Sequence, residues 1–98
     1  MPTQLDPAGV EPRMLFDAAD FRRARVLEVG CGDGRLAFRY ADASAFVVGV
    51  EREATELAAA RATCPPALRR RVRFIQATAL ALPFRSNTFD IAVLAWSL

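Results

Sequence analysis

Apolar residues along this chain are grouped into short runs that alternate with segments of helical spacing. Four runs rich in Val, Leu, Ile and Phe are typical of strands buried on both faces of a parallel sheet. The predicted strands cover residues 25–29, 45–51, 72–76 and 89–95. Apolar positions at helical spacing predict helices over residues 13–21, 35–43 and 53–64. Two consecutive prolines, Pro65 and Pro66, end the last of these helices.

Strands and helices alternate in this prediction, which indicates an α/β fold whose parallel strands are joined by right-handed crossovers. With the predicted strands numbered along the chain, we expect the sheet order 3-2-1-4. A ligand would then bind at the carboxyl ends of the strands, where the sheet order reverses beside the first strand. Three prolines and a glycine predict that residues 1–12 form an arm without regular structure, ahead of a domain at residues 13–98.

The composition is that of a single globular domain. The chain has 98 residues, of which 53% are hydrophobic and 24% charged, so it can bury a core and is not of the disordered class. A net charge of +2 argues against nucleic acid as a partner. The absence of histidine excludes a histidine base or ligand, and the two cysteines lack the spacing of a metal site. Without a spanning apolar segment or a targeting leader, we expect a cytoplasmic protein that does not contact membranes.

An arginine run surrounds the start of the third predicted strand, with arginine at positions 69, 70, 71 and 73. Such a run could bind phosphate or an acidic partner, or it could be a solvated rim at the strand entrance. We favour the rim, because charge runs more often lie on a solvated face.

Three glycines follow the first predicted strand at alternate positions, Gly30, Gly32 and Gly34. Glycine lacks a Cβ, so the backbone can turn sharply there and approach a ligand closely. A strand, a glycine loop and a helix start form a nucleotide-binding arrangement, because free N–H groups and the helix dipole face the ligand. A dinucleotide fingerprint would place its third glycine three residues after Gly32, where this chain has Arg35. This disfavours a nicotinamide cofactor without excluding it.

Three segments, in order along the chain, resemble the class I S-adenosylmethionine-dependent methyltransferases. Residues 28–34 are similar to the first motif of that family, and residues 48–51 to its second-strand motif, which ends in an acid. Residues 77–84 and 87–90 are similar to the loop and fourth strand of small-molecule methyltransferases of menaquinone and ubiquinone biosynthesis. The resemblance implies a Rossmann-like sheet with helices mainly on one face, S-adenosylmethionine as cofactor, and a small molecule as methyl acceptor.

The resemblance also implies which residues contact the cofactor. They are Glu28, Gly30, Cys31, Gly32, Gly34, Glu51, Arg52, Thr78, Ala79 and Ala95. Glu51 would accept hydrogen bonds from both ribose hydroxyls, unless it caps a helix or lies at the surface. Glu28 would face the methionine ammonium or bind N–H groups of the loop, and Cys31 would be a small residue under the cofactor. Arg52 and Thr78 stand where relatives place an apolar residue and an acid against adenine.

The full fold of this family has three further strands with their helices. The resemblance therefore implies that the chain is a truncated, cofactor-binding part of a small-molecule methyltransferase, and no residue is predicted to be catalytic. A non-catalytic cofactor-binding or dimerisation module is the alternative, and a nicotinamide-binding oxidoreductase fragment is a weaker one. Four strands would leave an apolar sheet face and the edge at residues 89–94 open, which predicts a homo-oligomer.

Overall fold

The structure, a computed structural model, describes residues 3–5, 20–78, 84–85 and 88–95. These residues contain the strands β1 (Thr3–Leu5), β2 (Arg25–Val29), β3 (Phe46–Glu51), β4 (Val72–Gln76) and β5 (Ile91–Leu94). They also contain the helices α1 (Ala37–Tyr40) and α2 (Ala54–Thr63) and a short 3₁₀ turn at Pro66–Leu68. All four predicted strands are present, with β2 and β4 at their predicted bounds and β3 and β5 shorter than predicted.

The strands form one parallel sheet in the order β1-β5-β2-β3-β4. β2 lies at its centre, where Leu27 pairs with Val48 of β3 and with Ala92 of β5. The four predicted strands thus have the predicted order, which is third, second, first and fourth. Because every strand runs the same way, the carboxyl ends meet at one end of the sheet. The glycine loop follows β2 at that end, and α2 follows β3 there.

The arm contains one strand that the sequence reasoning missed. β1 (Thr3–Leu5) adds to the edge of β5, with Gln4 opposite Ala92. The prediction that this edge is open was therefore wrong, because β1 pairs with it. The prediction of an irregular arm was based on the prolines of this segment, which cannot donate a backbone hydrogen bond. Pro2 and Pro7, however, lie outside the strand, one on each side. The three residues of β1 therefore all have an N–H group that can pair along the edge. Residues 6–12 lie outside the described residues.

Local signals set the ends of the helices. α2 is the predicted helix shortened by one residue at each end, and Glu53 and Cys64 are its caps. α1 is shorter than the predicted 35–43, because the chain beside it closes tighter turns, such as Ser44 N–H to the Ala41 carbonyl at 3.1 Å. The predicted helix at 13–21 lies outside the described residues except for its last two positions, which are not helical. No helix in the described part of the chain has the length and apolar character needed to span a membrane.

Both helices pack on the same side of the sheet. On that side Val26 of β2 is buried in one core with Tyr40 of α1 and Leu57 of α2. The other face carries a smaller cluster, in which Leu27 is buried and Phe89 is half-buried. This agrees with the helix arrangement that the resemblance implied.

Arg71 shows what one member of the arginine run does in the fold. Its Nη1 donates hydrogen bonds to the carbonyl oxygens of Asp42 at 2.8 Å and of Ser44 at 3.2 Å. It therefore ties the start of β4 to the turn before β3. This supports the interpretation of the run as a rim at the strand entrance.

Candidate functional site

A cavity of about 770 Å³ opens at the carboxyl ends of the strands. We call it the loop cavity, and its volume lies in the range of small-molecule sites. Its walls come from the glycine loop, the turn after β3, the first turn of α2 and the ends of β4 and β5. The lining residues are Val29, Gly30, Cys31, Gly32, Asp33, Arg35, Leu36, Val50, Glu51, Arg52, Glu53, Glu56, Ala77, Thr78 and Ala95.

The glycine loop is fixed to the neighbouring strand at its start. The N–H groups of Gly30 and Cys31 both donate to the carbonyl of Val50, at 2.8 and 3.0 Å. Gly32 then takes a φ of +56°, a left-handed conformation that side chains with a Cβ rarely adopt. The atom nearest to a Cβ built on Gly32 would be Oε2 of Glu56, at an ordinary contact distance of 3.6 Å. Glycine is therefore needed at this position for the backbone conformation, and not because a side chain would clash with its neighbours.

Gly34 is required by packing. Its φ is +88°, and a Cβ on it would lie 2.8 Å from Cζ of Phe38 and 3.1 Å from Cζ of Phe74. The two rings meet edge to face with centroids 5.9 Å apart, so neither can yield easily. Gly34 does not line the loop cavity among the described residues. The structure thus places this predicted cofactor residue in the core.

Glu51 holds the loop and the start of α2 together. Its side chain is almost buried at 8% exposure. Oε1 accepts the Gly32 N–H at 2.9 Å, and Oε2 accepts the Glu53 N–H at 2.8 Å. A carboxylate offers about four acceptor positions, so each oxygen keeps one for another donor. Glu51 therefore fixes the glycine loop to the start of α2, and it can still accept hydrogen bonds from hydroxyl groups in the cavity.

Most of the other residues predicted to contact the cofactor lie around the same space. Those that line the loop cavity with Glu51 are Gly30, Cys31, Gly32, Arg52, Thr78 and Ala95. The chain brings them together because β2, β3, β4 and β5 all end at this side of the sheet. Ala79 lies outside the described residues.

Glu28 lies on the helix side of the sheet and not in the cavity wall. It is fully buried, and the Tyr40 hydroxyl donates to its Oε1 at 2.5 Å. Its Oε2 has no hydrogen-bond partner among the described residues. Burial raises the pKa of Glu28 to about 7, against the opposite effect of the Tyr40 hydrogen bond. The physical reason for this position is the strand alternation, which turns Glu28 to the same face as the buried Val26.

The predicted contact of Glu28 with the cofactor stays a prediction, while the structure places its side chain beside Tyr40. In the described residues it binds Tyr40 and not the N–H groups of the loop. The ring of Phe21 stacks on Tyr40 with centroids 4.4 Å apart, which encloses the pair further.

Cys31 is placed as a small, unreactive residue of the cavity wall. Burial raises the pKa of its thiol to about 12, and the nearby charges of Glu28 and Glu51 act in the same direction. A thiol with this pKa is protonated at neutral pH and is a poor nucleophile. Its Sγ lies close to Gly49, since a Cβ there would be 2.9 Å from it. Gly49 thus supports the loop from the neighbouring strand.

Sequence reasoning missed several charged residues of the wall, above all Glu53 and Glu56. Glu53 forms an ion pair with Arg52, with Nε and Oε1 3.5 Å apart. Glu56 comes from the first turn of α2, which folds back over the loop. The signal that could have identified Glu56 was its short separation from Glu51 in the sequence, because a helix that begins three residues after a strand end keeps its first turn at that end.

A family model settles which proteins the chain is related to. The model of the methyltransferase domain matches residues 26–98. The chain belongs to the methyltransferase domain family. Among curated relatives, the demethylmenaquinone methyltransferase of Lactococcus lactis is 27% identical over 82 residues, which are 81% of this chain and 32% of that protein. The chain spans about a third of the length of the curated relatives it matches.

Solved structures of similar fold superpose on most of the chain. The YcgJ protein of Bacillus subtilis has a TM-score of 0.78 at 28% identity, and the match covers 85% of this chain and 36% of that one. The cyclase SpnF has a TM-score of 0.73 at 30% identity, with coverage of 83% and 31%. An RNA methyltransferase of Salinibacter ruber, in complex with S-adenosyl-L-homocysteine, shares the fold with a TM-score of 0.72 at 21% identity, with coverage of 85% and 55%. The family points to S-adenosylmethionine as the cofactor, and the last of these structures supports the fold.

Proposed function

We propose that this chain binds S-adenosylmethionine in the loop cavity and is the cofactor-binding part of an enzyme that methylates a small molecule. The observation that carries the proposal is the position of Glu51. Its carboxylate faces the cavity at the end of β3, and Gly32 N–H donates to it at 2.9 Å from the glycine loop. A fixed carboxylate with spare acceptor positions is suited to the two hydroxyls of a ribose.

The residues of the cavity suit the remaining parts of the cofactor. Gly30, Cys31 and Gly32 would lie against its methionine and ribose portions, because these small residues line the cavity at the loop. Arg52 and Thr78 would lie next to the adenine, where the guanidinium can stack on the ring and the hydroxyl can hydrogen-bond to it. When bound, the cofactor supplies an electrophilic methyl group on a sulfonium.

Methyl transfer depends mainly on the alignment of an acceptor with that methyl group. The described residues bind and orient a cofactor, and we assign none of them as catalytic. The proposal of a small-molecule acceptor is supported by the similarity to the demethylmenaquinone methyltransferase of Lactococcus lactis. The cytoplasm is the proposed location, which the free thiols of Cys31 and Cys64 support.

Calorimetric titration with S-adenosyl-L-homocysteine tests the role of Glu51. In Glu51→Gln one oxygen and the charge are lost, and we expect at least about tenfold weaker binding, because hydrogen bonds to a charged group contribute most. Asp42→Asn is the matched control, since Asp42 is an exposed acid in the turn before β3, at the other end of the sheet. Equal heats for wild type and Glu51→Gln, with both folded by circular dichroism, would refute the role of Glu51.

A second candidate function is cofactor binding without methyl transfer. It is favoured by the likeness to the cyclase SpnF, since the same fold there belongs to a protein named for a different reaction. Incubation with a methyl-labelled cofactor and a panel of quinone and phenol acceptors separates the two. A labelled product supports methyl transfer. Tight cofactor binding with no labelled product from any acceptor supports cofactor binding without methyl transfer.

We further propose that the chain self-associates. Within the described sheet, β4 has a neighbour on one side only, and Val48 and Leu94 remain half-buried on the face away from the helices. An open edge and an apolar face both favour pairing with a second copy. Light scattering that detects only a monomer at tens of micromolar would refute this proposal.

A further inference from the structure

Two carboxylates flank Gly32 from different elements. Glu51, at the end of β3, accepts the Gly32 N–H at 2.9 Å. Glu56, in the first turn of α2, places its Oε2 3.6 Å from the point where a Cβ of Gly32 would stand. Both side chains line the loop cavity. A ligand that covers Gly32 would therefore meet both carboxylates.

The other charged side chains of the wall are matched with each other. Asp33 pairs with Arg35, with Nε and Oδ2 3.1 Å apart, and Glu53 pairs with Arg52. Glu56 has neither an ion pair nor a hydrogen bond among the described residues. The described wall thus holds four carboxylates against two guanidiniums. Glu56 is the carboxylate in this wall that neither a cation nor an N–H group balances.

We infer that Glu56 makes the loop cavity prefer the cationic sulfonium cofactor over its neutral demethylated product. The inference rests on the proposed function. S-adenosylmethionine carries a sulfonium charge that S-adenosyl-L-homocysteine lacks, while the nucleoside and the amino-acid group are shared by both. A nearby unbalanced carboxylate attracts the first more than the second. It would help fresh S-adenosylmethionine to compete with the product for the cavity after the methyl group has been transferred.

The ratio of two dissociation constants isolates this effect. Contacts to ribose, adenine and amino acid cancel in the ratio of the Kd for S-adenosyl-L-homocysteine to the Kd for S-adenosylmethionine, and the charge difference remains. A carboxylate at a solvent-facing rim acts in a high dielectric, so we expect Glu56→Gln to lower the ratio by about two- to fivefold. A role of Glu56 limited to the dipole of α2 would change stability and leave the ratio unchanged.

Calorimetry on the full chain with both ligands provides the test, at about 0.02 M and about 0.5 M salt. We expect the wild-type ratio to shrink at high salt, the Glu56→Gln ratio to be smaller and nearly independent of salt, and Glu56→Asp to recover most of the preference. Asp42→Asn removes one negative charge at the far end of the sheet and should keep the wild-type ratio.

The outcomes separate this inference from the proposed function. If the wild type binds neither ligand, the proposed function fails and the inference falls with it. If both ligands bind and Glu56→Gln keeps the wild-type ratio, the inference is wrong while the cofactor site stands. An equal shift in Asp42→Asn would also overturn it, because net charge and not Glu56 would then set the preference.

Discussion

Replacing Glu28 by glutamine is expected to remove a pH dependence of stability that the wild-type chain shows near neutrality. Glu28 is fully buried, and burial raises its pKa from 4.5 to about 7 in the folded state. Between these two values the folded chain binds the proton more tightly than the unfolded chain does. The free energy of unfolding therefore falls as the pH rises through this range, and it is flat with respect to Glu28 below and above it.

The size of the effect follows from the two pKa values. A rise from 4.5 to about 7 corresponds to about 3 kcal/mol of unfolding free energy, lost between acidic and neutral pH. The chain contains no histidine, so no other side chain with an ordinary pKa titrates in the upper part of this range. The slope can therefore be assigned to Glu28.

Urea unfolding followed by far-UV circular dichroism, at several values between about pH 5 and pH 8, measures that slope. In Glu28→Gln the amide oxygen can still accept from the Tyr40 hydroxyl, while the buried NH₂ group lacks an acceptor among the described residues. We expect this variant to be less stable than the wild type at acidic pH and nearly independent of pH. Asp42→Asn should keep the wild-type slope. A wild-type stability that is flat or rises across this range, or an equal slope in Glu28→Gln, would refute the reasoning.

Two further predictions concern the residues that hold the fold around the site. Gly34→Ala should destabilise the chain by about 1–3 kcal/mol, because its φ of +88° is strained for alanine and its Cβ would lie 2.8 Å from Phe38; an unchanged thermal midpoint would contradict this. Asp90→Asn should make the chain less stable at neutral pH but not at strongly acidic pH. Hydrogen bonds from Arg25 lower the pKa of Asp90 from 3.8 to about 2, so its stabilisation is present above 3.8 and is lost as the pH falls through about 2; urea unfolding at both pH extremes tests this.

Strands and the long helix were predictable because their signals are local. The run Val72–Gln76 and the run Arg25–Val29 became strands at the predicted bounds, and Pro65 fixed the end of α2. The prolines of the arm were misleading, because a three-residue strand needs only the open edge of β5, which is a tertiary feature. The position of Glu51 at the end of a strand was likewise predictable, because it directly follows the apolar run of the predicted strand at residues 45–51.

Other parts of the site depend on neighbours that are distant in sequence. Gly34 looked like a ligand contact, yet the rings of Phe38 and Phe74 decide its identity. Glu56 had no motif to identify it, and its place in the wall follows from the path of α2 over the loop. Glu28 was assigned by resemblance, while the alternation of its strand turned it toward Tyr40.

The two hydrogen bonds of Glu51 also affect how tightly a ligand can be held. Gly32 and Glu53 each donate to this carboxylate, so the fold itself sets the positions of the loop and of the first turn of α2. A ligand that binds there does not have to order these segments, and the conformational entropy that binding usually loses is correspondingly smaller. The same arrangement makes the site depend on one side chain, because the loss of Glu51 would remove the acceptor in the cavity and the hydrogen bonds to the Gly32 and Glu53 N–H groups at once.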